Sequence, residues 1–131
     1  MNDGHADSIN ARRNADARAR MLAEFGAYTS TQMGDRAALA HRWKADGRIF
    51  FVTHQGSTWF PGYQFAEDGQ PRPVIADLLK IVGATLTGWE LALWFTTSNG
   101  WLDGARPVDL LTDAPERVRE AARREAEERV F

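Results

Sequence analysis

Apolar and polar positions along the chain fall into short patterned segments separated by polar turns. From about Ile9 to Phe25 the sequence is rich in Ala and Arg. Ala15, Arg18, Leu22 and Phe25 share one helical face with Met21 beside them, so only the last two turns carry an apolar stripe. Residues 1–8 are polar and expected to fray, with Ser8 placed to cap the helix. Thr29-Ser30-Thr31 is a cluster of caps, and Ala37–Ala45 follows with Leu39, Ala40 and Trp43 spaced for one buried face. Asp46-Gly47 ends that pattern. Arg48–Thr53 then reads as a strand, His54–Ser57 as a turn and Thr58–Phe60 as a return strand.

The second half is patterned for helices. Pro71 and Pro73 precede a helix from Val74 to Val82, with Ile75, Leu78, Leu79 and Val82 on its apolar face, and Gly83 ends it. Thr87 and Glu90 have the spacing of a capping box for the run Trp89–Phe95, which is apolar at nearly every position. Such a helix is expected to be buried on most sides, with Trp89, Leu93 and Trp94 in the core. Ser98-Asn99-Gly100 breaks it, Asp103-Gly104 makes a second turn, and Pro107 is placed to open a short helix. Asp113 and Glu116 form another capping-box pair before a charged last helix. That helix pairs Glu120 with Arg124 and Glu125 with Arg129, and its apolar face is thin: Val118, Ala121 and Ala122.

These elements predict a mainly α chain with one small β-hairpin: a winged-helix-like N-terminal unit followed by a small helical bundle. The division is a helical arm over 1–26, a helix-turn-helix and wing-like unit over 27–66, and a helical domain over 67–131. Two short helices followed by a hairpin outline a winged helix-turn-helix. In that frame His41, Arg42 and Lys44 occupy the exposed face of the second helix, and His54, Gln55 and Ser57 the hairpin tip. One departure is visible: between Thr31 and Trp43 the chain is shorter than such a motif usually allows, so its first helix or its turn is truncated.

Composition narrows the class. The chain has 131 residues, enough for one compact domain or two very small ones sharing a core, with 44% hydrophobic residues and no cysteine, which excludes disulfides and thiolate metal sites. Mean hydropathy is -0.44, and no apolar run approaches the roughly 20 residues of a spanning helix. Met1–Ser8 lacks the apolar core of a signal peptide, so a soluble cytoplasmic protein without a membrane partner is expected. The net charge of -2 is uneven: eight Lys/Arg face six Asp/Glu in residues 1–66, and eight face twelve in residues 67–131. A mildly basic first half suits DNA and an acidic second half suits a basic partner.

A resemblance adds to this reading. The stretch Trp94-Phe-Thr-Thr-Ser-Asn99-Gly-Trp101-Leu-Asp103-Gly-Ala-Arg106-Pro107-Val-Asp-Leu110-Leu111 resembles the C-terminal toxin-binding domain of Xre/MbcA/ParS-type antitoxins. The shared pattern is an Asn, then Trp-Leu, Gly, Pro and a Leu pair, followed by an Ala-rich helix. The similarity runs from about Pro71 to Glu128, and Pro61-Gly-Tyr-Gln64-Phe65 followed by Asp68-Gly69 resembles the segment just upstream in related antitoxins. The resemblance implies a RES-domain toxin, an enzyme that consumes NAD, as partner. It further implies that the C-terminal domain covers the mouth of the toxin's active site. Asn99, Trp101, Asp103 and Arg106, with Val118, Ala122, Arg129 and Phe131 of the last helix, are the candidate toxin-binding residues. His41, Arg42, Lys44 and Gln55 are the candidate DNA contacts.

Catalytic signatures are missing from the sequence. His5, His41 and His54 lack metal-ligand spacing, and there is neither a Gly-rich phosphate loop nor a Gly-x-Ser-x-Gly elbow. Asp103, Arg106 and Asp109 lie close in sequence, where acid–base work is conceivable but hydrogen bonding around the Asn99 corner or across an interface is simpler. The expectation is therefore a non-enzymatic, homo-oligomeric antitoxin that needs no cofactor, occludes its toxin and binds its own operator. Two other classes stay open: a stand-alone transcriptional regulator with a dimerising C-terminal bundle, and a scaffold built on the same domain. The N-terminal helix reads as a docked, solvated helix or as a dimerisation or DNA-contacting arm. The last helix reads as a solvated tail or as a surface completed by another chain.

Overall fold

The computed structural model describes residues 2–130, with side-chain surroundings from 11 to 129. Helix α1 spans Asn2–Phe25. It starts well before Ile9, running through Ser8 rather than being capped by it. Only its C-terminal turns pack: Met21 and Leu22 lie against the main core, and Phe25 meets Tyr63 edge-on with ring centroids 6.4 Å apart.

Strand β1 (Ala27–Thr29), helix α2 (Ser30–Met33), a 3₁₀ turn at Gly34–Arg36 and helix α3 (Ala37–Ala45) follow. Strands β2 (Val52–His54) and β3 (Ser57–Pro61) complete a three-stranded antiparallel sheet of order β1-β3-β2. Tyr28 lies opposite Phe60, and Val52 opposite Trp59. The hairpin expected from the sequence therefore gains a third strand. The β2–β3 loop is the two residues Gln55 and Gly56, with φ of 51° and 78°, the conformation that matches the twist of a tight hairpin. This is a winged-helix-like unit with a compressed first half. Helix α2 is a single turn, held by reciprocal bonds between Thr29 and Gln32: Thr29 Oγ1 accepts from the Gln32 N–H at 3.2 Å, and the Thr29 N–H donates to Gln32 Oε1 at 2.9 Å. The truncation inferred from the short Thr31–Trp43 spacing falls on α2, and the 3₁₀ turn leads directly into α3.

The helical bundle contains α4 (Pro73–Val82), α5 (Trp89–Thr96) and α6 (Pro115–Val130), with 3₁₀ turns at Gly100–Leu102 and Pro107–Leu110. Thr87 does not cap α5. The cap is Gly88, whose φ of 46° and ψ of -115° suit a residue without Cβ. The last helix is not a solvated tail: Val118, Ala121 and Ala122 are fully buried, and Arg119 Nη2 reaches Asp77 of α4 at 2.9 Å. A face of small residues lets α6 approach α4 closely. The pairs Glu120–Arg124 and Glu125–Arg129 form at 3.2 and 2.9 Å.

A small core of Ala40, Trp43, Ile49 and Phe60 lies within the winged-helix-like unit. The larger core joins Phe50 and Val52 of that unit to Ile75, Leu78, Leu86, Phe95 and Val118 of the bundle. Phe50 stacks on Phe95 with ring planes 7° apart, and the Trp89 indole N–H donates to the Thr53 carbonyl at 2.8 Å. Among the described residues no helix is long and apolar enough to cross a membrane.

Candidate functional site

A cleft of about 630 Å³ opens between α5, the turn at Thr97–Trp101 and the C-terminal part of α6. It follows from how α5 is buried. Leu91, Ala92, Trp94 and Phe95 face inward, whereas Glu90, Leu93 and Thr97, at spacings of three and four, lie on the outward side. Leu93 is 52% exposed, so its assignment to the core is corrected. Trp94 is buried, as expected, and Trp89 half-buried. The indole N–H of Trp94 is buried without an acceptor.

Across the cleft stands Trp101, 49% exposed. The Asn99 corner fixes its backbone: Asn99 Oδ1 accepts from the Trp101 N–H at 2.9 Å, and the Asn99 carbonyl accepts from Leu102 and Gly104 at 3.0 Å each. Ser98 Oγ donates to the Gly104 carbonyl at 2.7 Å, and the Arg124 guanidinium lies 5.5 Å from the Trp101 ring centroid. Two large apolar side chains on one concave surface mark an interaction site more strongly than either would alone.

Three of the toxin-binding candidates, Asn99, Trp101 and Arg129, line this cleft. Arg129 is held by Glu125 at 2.9 Å. Asp103, left-handed at φ 56°, points to solvent and pairs with Arg117 at 3.1 Å. Arg106 turns away toward α1, bonding Asp109 at 2.8 Å and Glu24 at 3.4 Å, with its guanidinium 5.0 Å from the Phe25 ring centroid. The hydrogen bond that Arg106 donates to Asp109, reinforced by Glu24, raises the Arg106 pKa above its ordinary value. Asp103, Arg106 and Asp109 thus divide between two ion pairs rather than forming one acid–base group. Val118 and Ala122 are corrected: both are 0% exposed, because they form the seam between α6 and α4. Phe131 lies outside the described residues. Glu90, expected only as a capping acid, Leu93, expected in the core, and Glu128 also line the cleft.

On the winged-helix-like unit, Arg42 and Lys44 are exposed on α3, with the Lys44 ammonium 5.1 Å from the Phe51 ring centroid. His41 is exposed but engaged: its Nε2 is 3.3 Å from Ser30 Oγ, and its ring meets Phe60 edge-on at 5.5 Å. Gln55 is exposed at the hairpin tip, and Ser57 is exposed beside it. His54 is buried against Trp89, 6.2 Å between ring centroids, and is no tip residue. Arg36 and Arg48, not anticipated as part of this surface, each place a guanidinium 5.8 Å from the Trp43 ring centroid. Four cations therefore lie on or beside α3, with Asp35 and Asp46 the nearby acids in sequence.

The fold is that of a winged-helix-like unit joined to a helical bundle. The solved NMR structure of Rv2175c shares it, with a TM-score of 0.62 and 21% sequence identity over 80% of this chain and 81% of that one. No family model and no curated protein matches the chain.

Proposed function

We propose that this chain is an antitoxin of the Xre/MbcA/ParS type. Its C-terminal bundle binds and occludes a RES-type, NAD-consuming toxin, and its winged-helix-like unit binds operator DNA. The observation that carries the reading is Trp101. It belongs to the segment that resembles the toxin-binding domain, stands half-exposed in the cleft that Leu93 also lines, and has its backbone fixed by the Asn99 corner. A large aromatic on a backbone fixed before binding is the kind of residue that anchors an interface, because less freedom is lost on docking. In this reading the chain performs no chemistry. It works in the cytoplasm, as a homo-oligomer, by covering the toxin over an interface of about 1,600 Å².

The test is co-purification with a RES-domain toxin and an assay of NAD consumption. Trp101→Ala weakens inhibition by about 2–4 kcal/mol of binding free energy, the range of an interface anchor. Its melt stays within about 0.5 kcal/mol, as for a surface substitution. Full inhibition by a Trp101→Ala, Leu93→Ala double variant sinks the proposal. For the DNA half, changing Arg42 and Lys44 to Ala lowers affinity and flattens the salt dependence, because each phosphate contact releases counterions. A gel shift indifferent to both removes that half.

The cations around α3 also favour a second reading, a stand-alone DNA-binding regulator whose bundle serves only dimerisation. Full-strength operator binding with no toxin recovered from the native cell supports it.

A further inference from the structure

The cleft carries information about the chemistry of what fills it. Its apolar part is made by Leu93, Trp94 and Trp101, and its ionisable lining is Glu90, Glu125, Glu128 and Arg129. Glu125 and Arg129 satisfy one another at 2.9 Å. Arg124, over the Trp101 ring, is already engaged by Glu120 at 3.2 Å and Glu127 at 3.8 Å. Glu90 and Glu128 remain, and among the described residues neither is paired with a cation. Glu90 is on α5 and Glu128 on α6, the two helices whose residues line the cleft.

Resting on the reading that the bundle binds another protein, we infer that the cleft receives a segment presenting an apolar side chain flanked by Lys or Arg. The apolar side chain seats between Leu93 and Trp101, and the flanking cations meet Glu90 and Glu128. Charge decides against the other occupants. A symmetric pair of copies joined cleft to cleft would bring two patches with an excess of carboxylates together, because a two-fold interface matches one patch with itself. Like charges so placed repel. The phosphates of DNA would meet the same carboxylates. A basic, apolar-anchored segment of a different protein gains on both counts, and its binding weakens as salt screens the rim.

The experiment is a selection from a displayed peptide library against the full chain, with the winners measured by fluorescence anisotropy against three proteins. These are the parent, the double variant Glu90→Gln/Glu128→Gln, and Leu93→Ser. Leu93, Glu90 and Glu128 are all exposed, so thermal melts of the variants stay with the parent. The inference expects winners with an aromatic or aliphatic anchor between basic residues. It also expects an affinity loss of about tenfold or more for each variant, and a salt dependence that the Gln pair removes. Winners without basic flanks, an indifferent Gln pair, or no enrichment would each overturn it. So would concentration-dependent self-association that Leu93→Ser abolishes. The outcomes separate from those of the function proposal. Toxin inhibition that survives the Gln pair defeats this inference alone. Basic winners with no toxin partner found defeat the antitoxin reading alone.

Discussion

Gln64 and the backbone of Phe50 are joined through both of their polar ends. The Phe50 N–H donates to Gln64 Oε1 at 2.7 Å, and Gln64 Nε2 donates to the Phe50 carbonyl at 2.9 Å and to the Pro61 carbonyl at 3.1 Å. Phe50 precedes β2 and has no strand partner in the sheet, so the side-chain amide stands in for a neighbouring strand. Gln64 is fully buried, which makes the arrangement hard to replace: water cannot readily take over the freed groups.

Gln64→Leu keeps the apolar volume and strands the Phe50 N–H and carbonyl. With each unsatisfied buried group costing about 1–3 kcal/mol, the expected loss is about 2–6 kcal/mol in urea unfolding. A variant as stable as the parent would show that these groups find other partners, and the amide would then be dispensable.

Val118 and Ala122 test the other side of the same logic. Val118→Ala opens a void between α6 and α4 and is expected to cost about 1–3 kcal/mol. Ala122→Leu overpacks the same seam at a similar cost. Leu93→Ala, on the exposed face of α5, stays within about 0.5 kcal/mol. Melts followed by circular dichroism distinguish them, and a Leu93 variant as damaged as the Val118 one would return Leu93 to the core.

Tyr63 gives a pH dependence. Its hydroxyl is buried with no hydrogen-bond partner, and burial pushes the phenol well above its ordinary value of 10.0. The folded state therefore holds this proton at pH values where the unfolded chain releases it. Below pH 10 the phenol is neutral in both states and stability is undiminished; as pH rises above 10 only the unfolded chain ionises, and stability declines. Tyr63→Phe removes both the unpaired hydroxyl and this alkaline decline. The variant is expected to be as stable as the parent at neutral pH or up to about 1 kcal/mol more stable. An alkaline limb unchanged by Tyr63→Phe in a pH series of melts would assign that limb to other groups.

Much of the fold was legible because strong local signals agreed with it. Pro73 opening α4, Gly83 ending it, the caps at Thr29 and the Gln55-Gly56 turn all act within a few residues. What was not legible depended on partners distant in sequence. Ala27-Tyr28-Thr29 is too short to show strand alternation and becomes β1 by pairing with β3. Val118 and Ala122 looked too small to hold a helix down, yet small residues are what allow α6 to lie on α4. Arg106 sits amid the recognisable motif but turns to Glu24, far away in the chain. Leu93 was partly readable: Glu90 marks the solvent face of α5, and Leu93 and Thr97 follow it at helical spacing. The continuous apolar run hid that stripe.

The main core contains Phe50 and Val52 from the winged-helix-like unit as well as the helices of the bundle, with Met21 and Leu22 of α1 packed against it. All three segments of the chain therefore draw on one body of buried surface, and unfolding is expected to be a single concerted event. A molecule bound at either end then stabilises the whole chain by mass action. Operator DNA on α3 and a protein in the cleft would each shift the same melting transition. One thermal scan would register either ligand without a label on the site it occupies.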